Sequence, residues 1–127
     1  MDTVVNKISD MEAEIMKVVW SKGAPITYSE IRSALNKKFD MGSQSIQSMV
    51  NRLVQKEVLA QEKQDVYYYT ALVPENEYVE MKTKTLLSKV FDGNAKQLLT
   101  ALLTYDEITP EDLDDLREYW RKGGKQE

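Results

Sequence analysis

Apolar residues recur at helical spacing from the start of the chain. Ile8, Met11, Ile15, Val18 and Val19 fall on one face of a helix read over 9–21, opened by Ser9 and Glu12 at the spacing of a capping box. Lys22-Gly23 ends it, because glycine accepts the left-handed backbone that closes a helix. Ala24-Pro25-Ile26 is too short for a helix and reads as a brief edge strand. Thr27 and Glu30 repeat the capping-box spacing, and Tyr28, Ile31, Leu35 and Phe39 line the inner side of a second helix ending near 38. After a turn at Asp40-Met41-Gly42, Ser43 stands where it can cap a third helix over 44–57, whose inner stripe is Ile46, Met49, Val50, Leu53 and Val54. Two runs rich in β-branched and aromatic residues follow, at 58–62 and 66–72. Joined at Lys63-Gln64-Asp65, they read as a hairpin. Three helices followed by a hairpin is the winged helix-turn-helix order.

Beyond Val73 the pattern is helical throughout. Pro74 suits a first helical position, and a helix over 75–91 carries Tyr78, Val79, Leu86, Leu87, Val90 and Phe91. Asp92-Gly93 breaks it. A helix over 94–104 holds Leu98, Leu99, Leu102 and Leu103. Thr109 then caps a last helix with Pro110 next, and Leu113, Leu116, Tyr119 and Trp120 lie along one side. The expected architecture is mainly α with a small β-hairpin wing: a winged helix-turn-helix domain over 1–73 and a three-helix domain over 74–127. About fifty residues in three helices, with no staple, bury too little surface to stand alone. Their leucines also form more than one stripe. Symmetric pairing with a second copy answers both points. The candidate dimerisation residues are Leu86, Leu87, Val90, Leu98, Leu99, Leu102, Leu103, Leu113, Leu116 and Trp120.

Composition narrows the chemistry. At 42% hydrophobic residues, the 127-residue chain can offset its ordering entropy and is globular. It has no Cys and no His, which removes disulfides, thiolate or imidazole metal ligands, a thiol nucleophile and the usual general base near neutral pH. No convergent pair of acids replaces them, so no catalytic residue, metal or cofactor is expected. The acidic group Asp106, Glu107, Glu111, Asp112, Asp114 and Asp115 lacks an EF-hand pattern, and a helix N-terminus accounts for Glu111 and Asp112. No stretch approaches the ~20 apolar residues of a membrane span, and the first residues show no basic region followed by an apolar run. A cytoplasmic protein without membrane association is expected. Net charge is −4. Residues 1–73 carry nine Lys/Arg against nine Asp/Glu, and residues 74–127 eight against twelve, so the excess acid lies in the second half. A neutral first half still allows a local basic face, because remote charge is screened beyond a Debye length of ~10 Å.

The outer face of the third helix is the main candidate site. It presents Gln44, Ser45, Gln47, Ser48, Asn51, Arg52 and Gln55: seven polar residues with a single charge and no Glu/Lys pairs four apart. A solvated face normally uses such pairs, whereas Gln and Asn match adenine edges, Arg matches guanine, and Ser reaches bases or phosphates. The predicted partner is double-stranded DNA. Ser43, Gln44, Ser45, Gln47, Ser48, Asn51 and Arg52 lie on the reading helix, Thr27 and Tyr28 suit backbone contacts, and Lys63 and Gln64 stand at the wing tip. In Tyr67-Tyr68-Tyr69, strand alternation requires at least one ring to face the core, which favours packing over base stacking. A homodimer would read a palindrome with half-sites about a helical turn apart.

Two segments carry a family resemblance. The stretch from Ile8 through Ser9, Met11, Glu12 and Ile15 to Trp20 resembles the opening of the penicillinase-repressor family (BlaI/MecI/CopY). The segment from Ser45 through Ile46, Val50, Asn51, Arg52 and Leu53 to Lys56 resembles its third helix. Tyr69-Thr70-Ala71-Leu72-Val73 and Lys89-Val90-Phe91-Asp92-Gly93 fit as well, so the likeness runs from Ile8 to about Trp120. It implies an N-terminal winged helix, a C-terminal helical dimerisation domain, and repression at palindromic operators built around TACA/TGTA. The chain departs from the pattern in three ways. Gln44 and Gln47 stand where family members often carry Lys or Arg. Ala101-Leu102 stands where antibiotic-responsive members are cut at Asn-Phe, and the cysteine cluster of copper-responsive members is missing. Release is therefore expected to come from a small molecule, a partner protein or a different cut in the region of the fourth and fifth helices, with a ligand or partner ranked above proteolysis.

Three other readings stay open: a winged helix that docks protein through its third helix, a DNA-binding activator, and a carboxylate-dependent enzyme. Salt-dependent duplex binding separates the first from DNA recognition, since only phosphate contacts release counterions.

Overall fold

The computed structural model describes residues 7–23 and 25–123. The elements are α1 (Asp10–Lys22), β1 (Ile26–Thr27), α2 (Tyr28–Asn36), α3 (Ser43–Gln55), β2 (Leu59–Lys63), β3 (Tyr67–Ala71), α4 (Glu75–Phe91), α5 (Ala95–Thr104) and α6 (Pro110–Arg121). They form two units, Met1–Lys82 and Thr83–Glu127. The first unit runs past residue 73 to the middle of α4. Within it, Trp20 donates its indole N–H to the Val73 carbonyl at 2.9 Å and meets the Tyr78 ring at 5.5 Å between centroids, which ties the first turns of α4 to α1.

Local signals set the helix starts. Ser9 with Glu12, and Thr27 with Glu30, form reciprocal capping boxes, each satisfying two backbone N–H groups that a helix start leaves without partners. Gly23 closes α1 in the left-handed region, at φ 69°. The end of α3 uses the same device without a glycine. Glu57 sits at φ 65°, while Val58 N–H reaches the Leu53 carbonyl and Glu57 N–H that of Val54, a Schellman closure.

The core of the first unit joins Ile15, Met16 and Val19 of α1, Ile31 and Leu35 of α2, and Ile46, Met49, Val50 and Leu53 of α3. Val58, Leu59 and Tyr69 complete it. One face departs from expectation. Met11 is exposed and Val18 only partly buried, whereas Glu12 and Met16 are buried. The stripe runs through 8, 12, 15, 16 and 19 because the Glu12 carboxylate finds enough partners to enter it. Val54 of α3 is likewise only half-buried.

The sheet has the order β1-β3-β2, all antiparallel. Ile26 pairs with Tyr69, so β1 is an edge strand as expected, with Ala24 outside the described residues. Lys63 belongs to β2 opposite Tyr67, which moves the turn one residue on, to Gln64-Asp65-Val66. Three helices, a hairpin and a short third strand make a winged helix.

In the second unit, Thr109 and Asp112 close a capping box with Pro110 at the first helical position, and Asn94 caps α5. No described side chain here is buried. Leu87, Leu98, Leu102 and Leu113 are half-buried, while Leu86, Val90, Leu99, Leu103, Leu116 and Trp120 are exposed. No described helix is long and apolar enough to cross a membrane.

Candidate nucleic-acid interface

The core-facing stripe of α3 decides what its other side can do. With Ile46, Met49, Val50 and Leu53 inward, Gln44, Ser48, Asn51 and Gln55 share the opposite face at helical spacing and are exposed. Ser45 and Arg52 lie on one flank. Gln47, half-buried, lies on the other and donates from its amide to Asn51 Oδ1 at 3.1 Å. Seven polar groups are thus held on one rigid rod.

The start of α3 is braced by α2. Tyr28 donates its hydroxyl to the Ser43 carbonyl at 2.7 Å and lies 2.8 Å from Ser43 Oγ. This corrects the expected cap. Gly42 is the last extended residue, no side chain caps α3, and the Ser43 hydroxyl is turned to Tyr28. Thr27 is the N-cap of α2 and spends its hydroxyl on Glu30. Both residues stand beside α3 with hydroxyls already engaged.

On the Gln47 flank, α3 faces the sheet across a groove of about 640 Å³ lined by Thr27, Tyr28, Gln47, Asn51, Tyr67 and Tyr69, among others. Of the three consecutive tyrosines, strand alternation puts Tyr67 and Tyr69 on one face, with Tyr69 in the core and Tyr67 43% exposed at the groove, while Tyr68 is half-buried on the other. Lys63 holds its ammonium 5.7 Å from the Tyr67 ring centroid and has no ion pair among the described residues. Gln64 is exposed at the turn, its backbone N–H bonded to the Val66 carbonyl.

The other flank carries an interaction that the sequence did not announce. Glu12 accepts from Ser9 N–H at 3.0 Å, from Lys56 Nζ at 2.7 Å and from Arg52 Nε at 3.1 Å. Burial opposes ionisation of this carboxyl, but the bonds from Lys56, Ser9 and Arg52 outweigh it and hold its pKa below the ordinary glutamate range. Reading Glu12 only as a cap missed this. The available signal was its place at i+4 from Ile8 and i−3 from Ile15, on the inner stripe. Gln61 and Tyr67 were also missed at the groove. Gln61 shares the face of Leu59, which points it toward α3 once Leu59 is known to be buried.

The family model for penicillinase repressors matches residues 8–122. The chain belongs to that family. It is 31% identical over 113 residues to the penicillinase repressor of Bacillus licheniformis, covering 88% of each chain. Among solved structures, it is similar to the monomeric form of the Bacillus licheniformis BlaI protein in complex with the blaP half-operator, with TM-score 0.51 and 36% identity over 57% of this chain and 88% of that one. The DNA-binding domain of the repressor BlaI gives TM-score 0.53 and 36% identity, covering 58% and 90%. These two structures cover a little under three-fifths of the chain.

Proposed function

We propose that this protein is a DNA-binding transcriptional repressor that acts as a homodimer on a palindromic, TACA/TGTA-like operator. Residues 1–73 bind DNA and residues 74–127 dimerise. The observation that carries the reading is the α3 face, with Gln44, Ser45, Gln47, Ser48, Asn51 and Arg52 presented beside a groove lined by Tyr67, whose ring lies under the ammonium of Lys63, a cation with no ion pair among the described residues. Amide and hydroxyl groups read base edges, while Arg52, Lys63, Gln64 and the Thr27–Tyr28–Ser43 corner lie where a duplex backbone would pass. The similar BlaI structure bound to a half-operator supports DNA as the partner and suggests a two-part site.

Dimerisation is supported by the second unit, where apolar groups such as Leu86, Val90, Leu99, Leu103, Leu116 and Trp120 stay exposed in the single chain. Half-buried Leu87, Leu98, Leu102 and Leu113 pack within one copy, and the exposed set meets the other. The protein works in the cytoplasm, carries out no catalysis, and is released from DNA by a small ligand or a partner protein. Selection of bound duplexes from a random DNA pool tests the reading. Two inverted half-sites about a helical turn apart are expected, with binding that weakens steeply with salt. Recovery of no enriched sequence would refute specific operator recognition.

A further inference from the structure

Arg52 is the single charged residue on the α3 face, and the structure does not leave it to swing freely. Its Nε donates to Glu12 Oε2 at 3.1 Å, and Lys56 occupies the other carboxylate oxygen at 2.7 Å while also reaching the Lys7 carbonyl. The Glu12 side chain is 2% exposed and that of Arg52 is 53% exposed. The terminal nitrogens of Arg52 make no hydrogen bond to any described residue. A guanidinium is a planar fork, so fixing Nε from a buried oxygen also fixes the plane and direction of its free end.

We propose that Glu12 is a positioning residue for DNA recognition, holding Arg52 by Nε so that its two terminal nitrogens form a preset fork for a backbone phosphate. The inference rests on the DNA-binding reading above. Phosphate is favoured over a base because Arg52 lies on the flank of α3, beside α1, and in the later turns of the helix. The centre of the exposed face belongs instead to Gln44, Ser48, Asn51 and Gln55. A contact at the flank sets the angle of α3 on the duplex without reading sequence. An arginine already held in place also loses less side-chain freedom on binding than a free one.

Simple charge counting gives the opposite sign. Removing a carboxylate beside a polyanion should strengthen binding, whereas removing the anchor of Arg52 should weaken it. The test measures full-chain binding to operator and unrelated duplexes across a salt series, for wild type, Glu12→Gln, Arg52→Met and the double variant. Gln still serves at the third position of a capping box, so the start of α1 is preserved. Glu12→Gln is expected to weaken binding to all duplexes by roughly tenfold, with unchanged sequence ranking and a lower salt slope. The double variant is expected to bind within about twofold of Arg52→Met, because both changes remove one device. Equal or tighter binding by Glu12→Gln, or losses that add, would overturn the proposal. Arg52→Lys provides a check that keeps the charge and the Glu12–Lys56 bond. A lysine cannot hold the carboxylate and present a fork, so wild-type affinity in this variant also overturns it. If wild type itself shows no salt-dependent duplex binding, the DNA reading fails before the question of positioning arises.

Discussion

Replacing Tyr28 by Phe tests whether α3, the proposed reading helix, is braced in the way the structure shows. The ring of Tyr28 is half-buried, so Phe leaves no cavity and loses only the hydroxyl. That hydroxyl makes two contacts with Ser43, at 2.7 and 2.8 Å. A hydrogen bond contributes ~0.5–1.5 kcal/mol net, and here both Ser43 oxygens regain water when it goes, so the low end applies and the pair sums to ~1 kcal/mol. For a unit of this size that is a fall in melting temperature of ~4–8 °C. The contact also joins α2 to the first turn of α3, which carries Gln44, Ser45 and Gln47. Operator affinity is therefore expected to drop several-fold, ~1 kcal/mol being about fivefold. Binding to unrelated DNA should fall by a smaller factor, because only the backbone corner at Tyr28 and Ser43 is loosened and the other phosphate contacts remain. Urea unfolding followed by circular dichroism, at fixed chain concentration because association shifts the midpoint, gives the first number. Titration of labelled operator gives the second. An unchanged midpoint together with unchanged operator binding would show that the brace is idle. A loss above ~3 kcal/mol would mean that Tyr28 is a core residue rather than a strut.

Other outcomes follow from the same geometry. Gln44→Ala and Gln47→Ala are each expected to cost ~1–3 kcal/mol of operator binding and relax preference at one base pair. Unchanged preference in duplex selection would remove α3 as the reader. Lys63→Ala should weaken all duplexes alike and lower the salt slope by about one, while a change confined to one sequence would place Lys63 on a base. Val90→Asp with Leu99→Asp introduces charge at side chains exposed in the single chain, so sedimentation should show a monomer that keeps its winged unit folded, where a dimer is expected for wild type. A wild type that is already a stable monomer at tens of micromolar, by order of magnitude, refutes the interface. For pH, the folded-state pKa of Glu12 lies below its unfolded value. Its contribution is complete above the ordinary glutamate pKa of ~4.3 and is lost as pH falls through the lower folded value. Stability of wild type should fall more than that of Glu12→Gln in this acid range, and parallel curves would contradict the pairing.

The elements of this protein were legible in its sequence because their causes are local. Ser9 with Glu12, Thr27 with Glu30 and the Thr109-Pro110 start each act within one helical turn, and the structure keeps all three. The stripe Ile46, Met49, Val50 and Leu53 is equally local, and once it turns inward the polar face of α3 must turn outward. The same holds for the tyrosine run, where a period of two allows only alternation. What the sequence left open depends on pairs of residues far apart along the chain. The carboxylate of Glu12 reaches Arg52 and Lys56 across 40 and 44 positions, so a residue that reads as a cap becomes a buried anchor and displaces Met11 from the core. Ser43 is a good cap by type, but Tyr28, fifteen residues earlier, takes its hydroxyl. The first unit runs on into α4 because Trp20 bonds Val73 and packs on Tyr78, contacts that no periodicity encodes. Short-range patterning thus determined which segments are helix or strand and which face is polar. Only the tertiary structure decided which polar groups are free to meet DNA and which are already held.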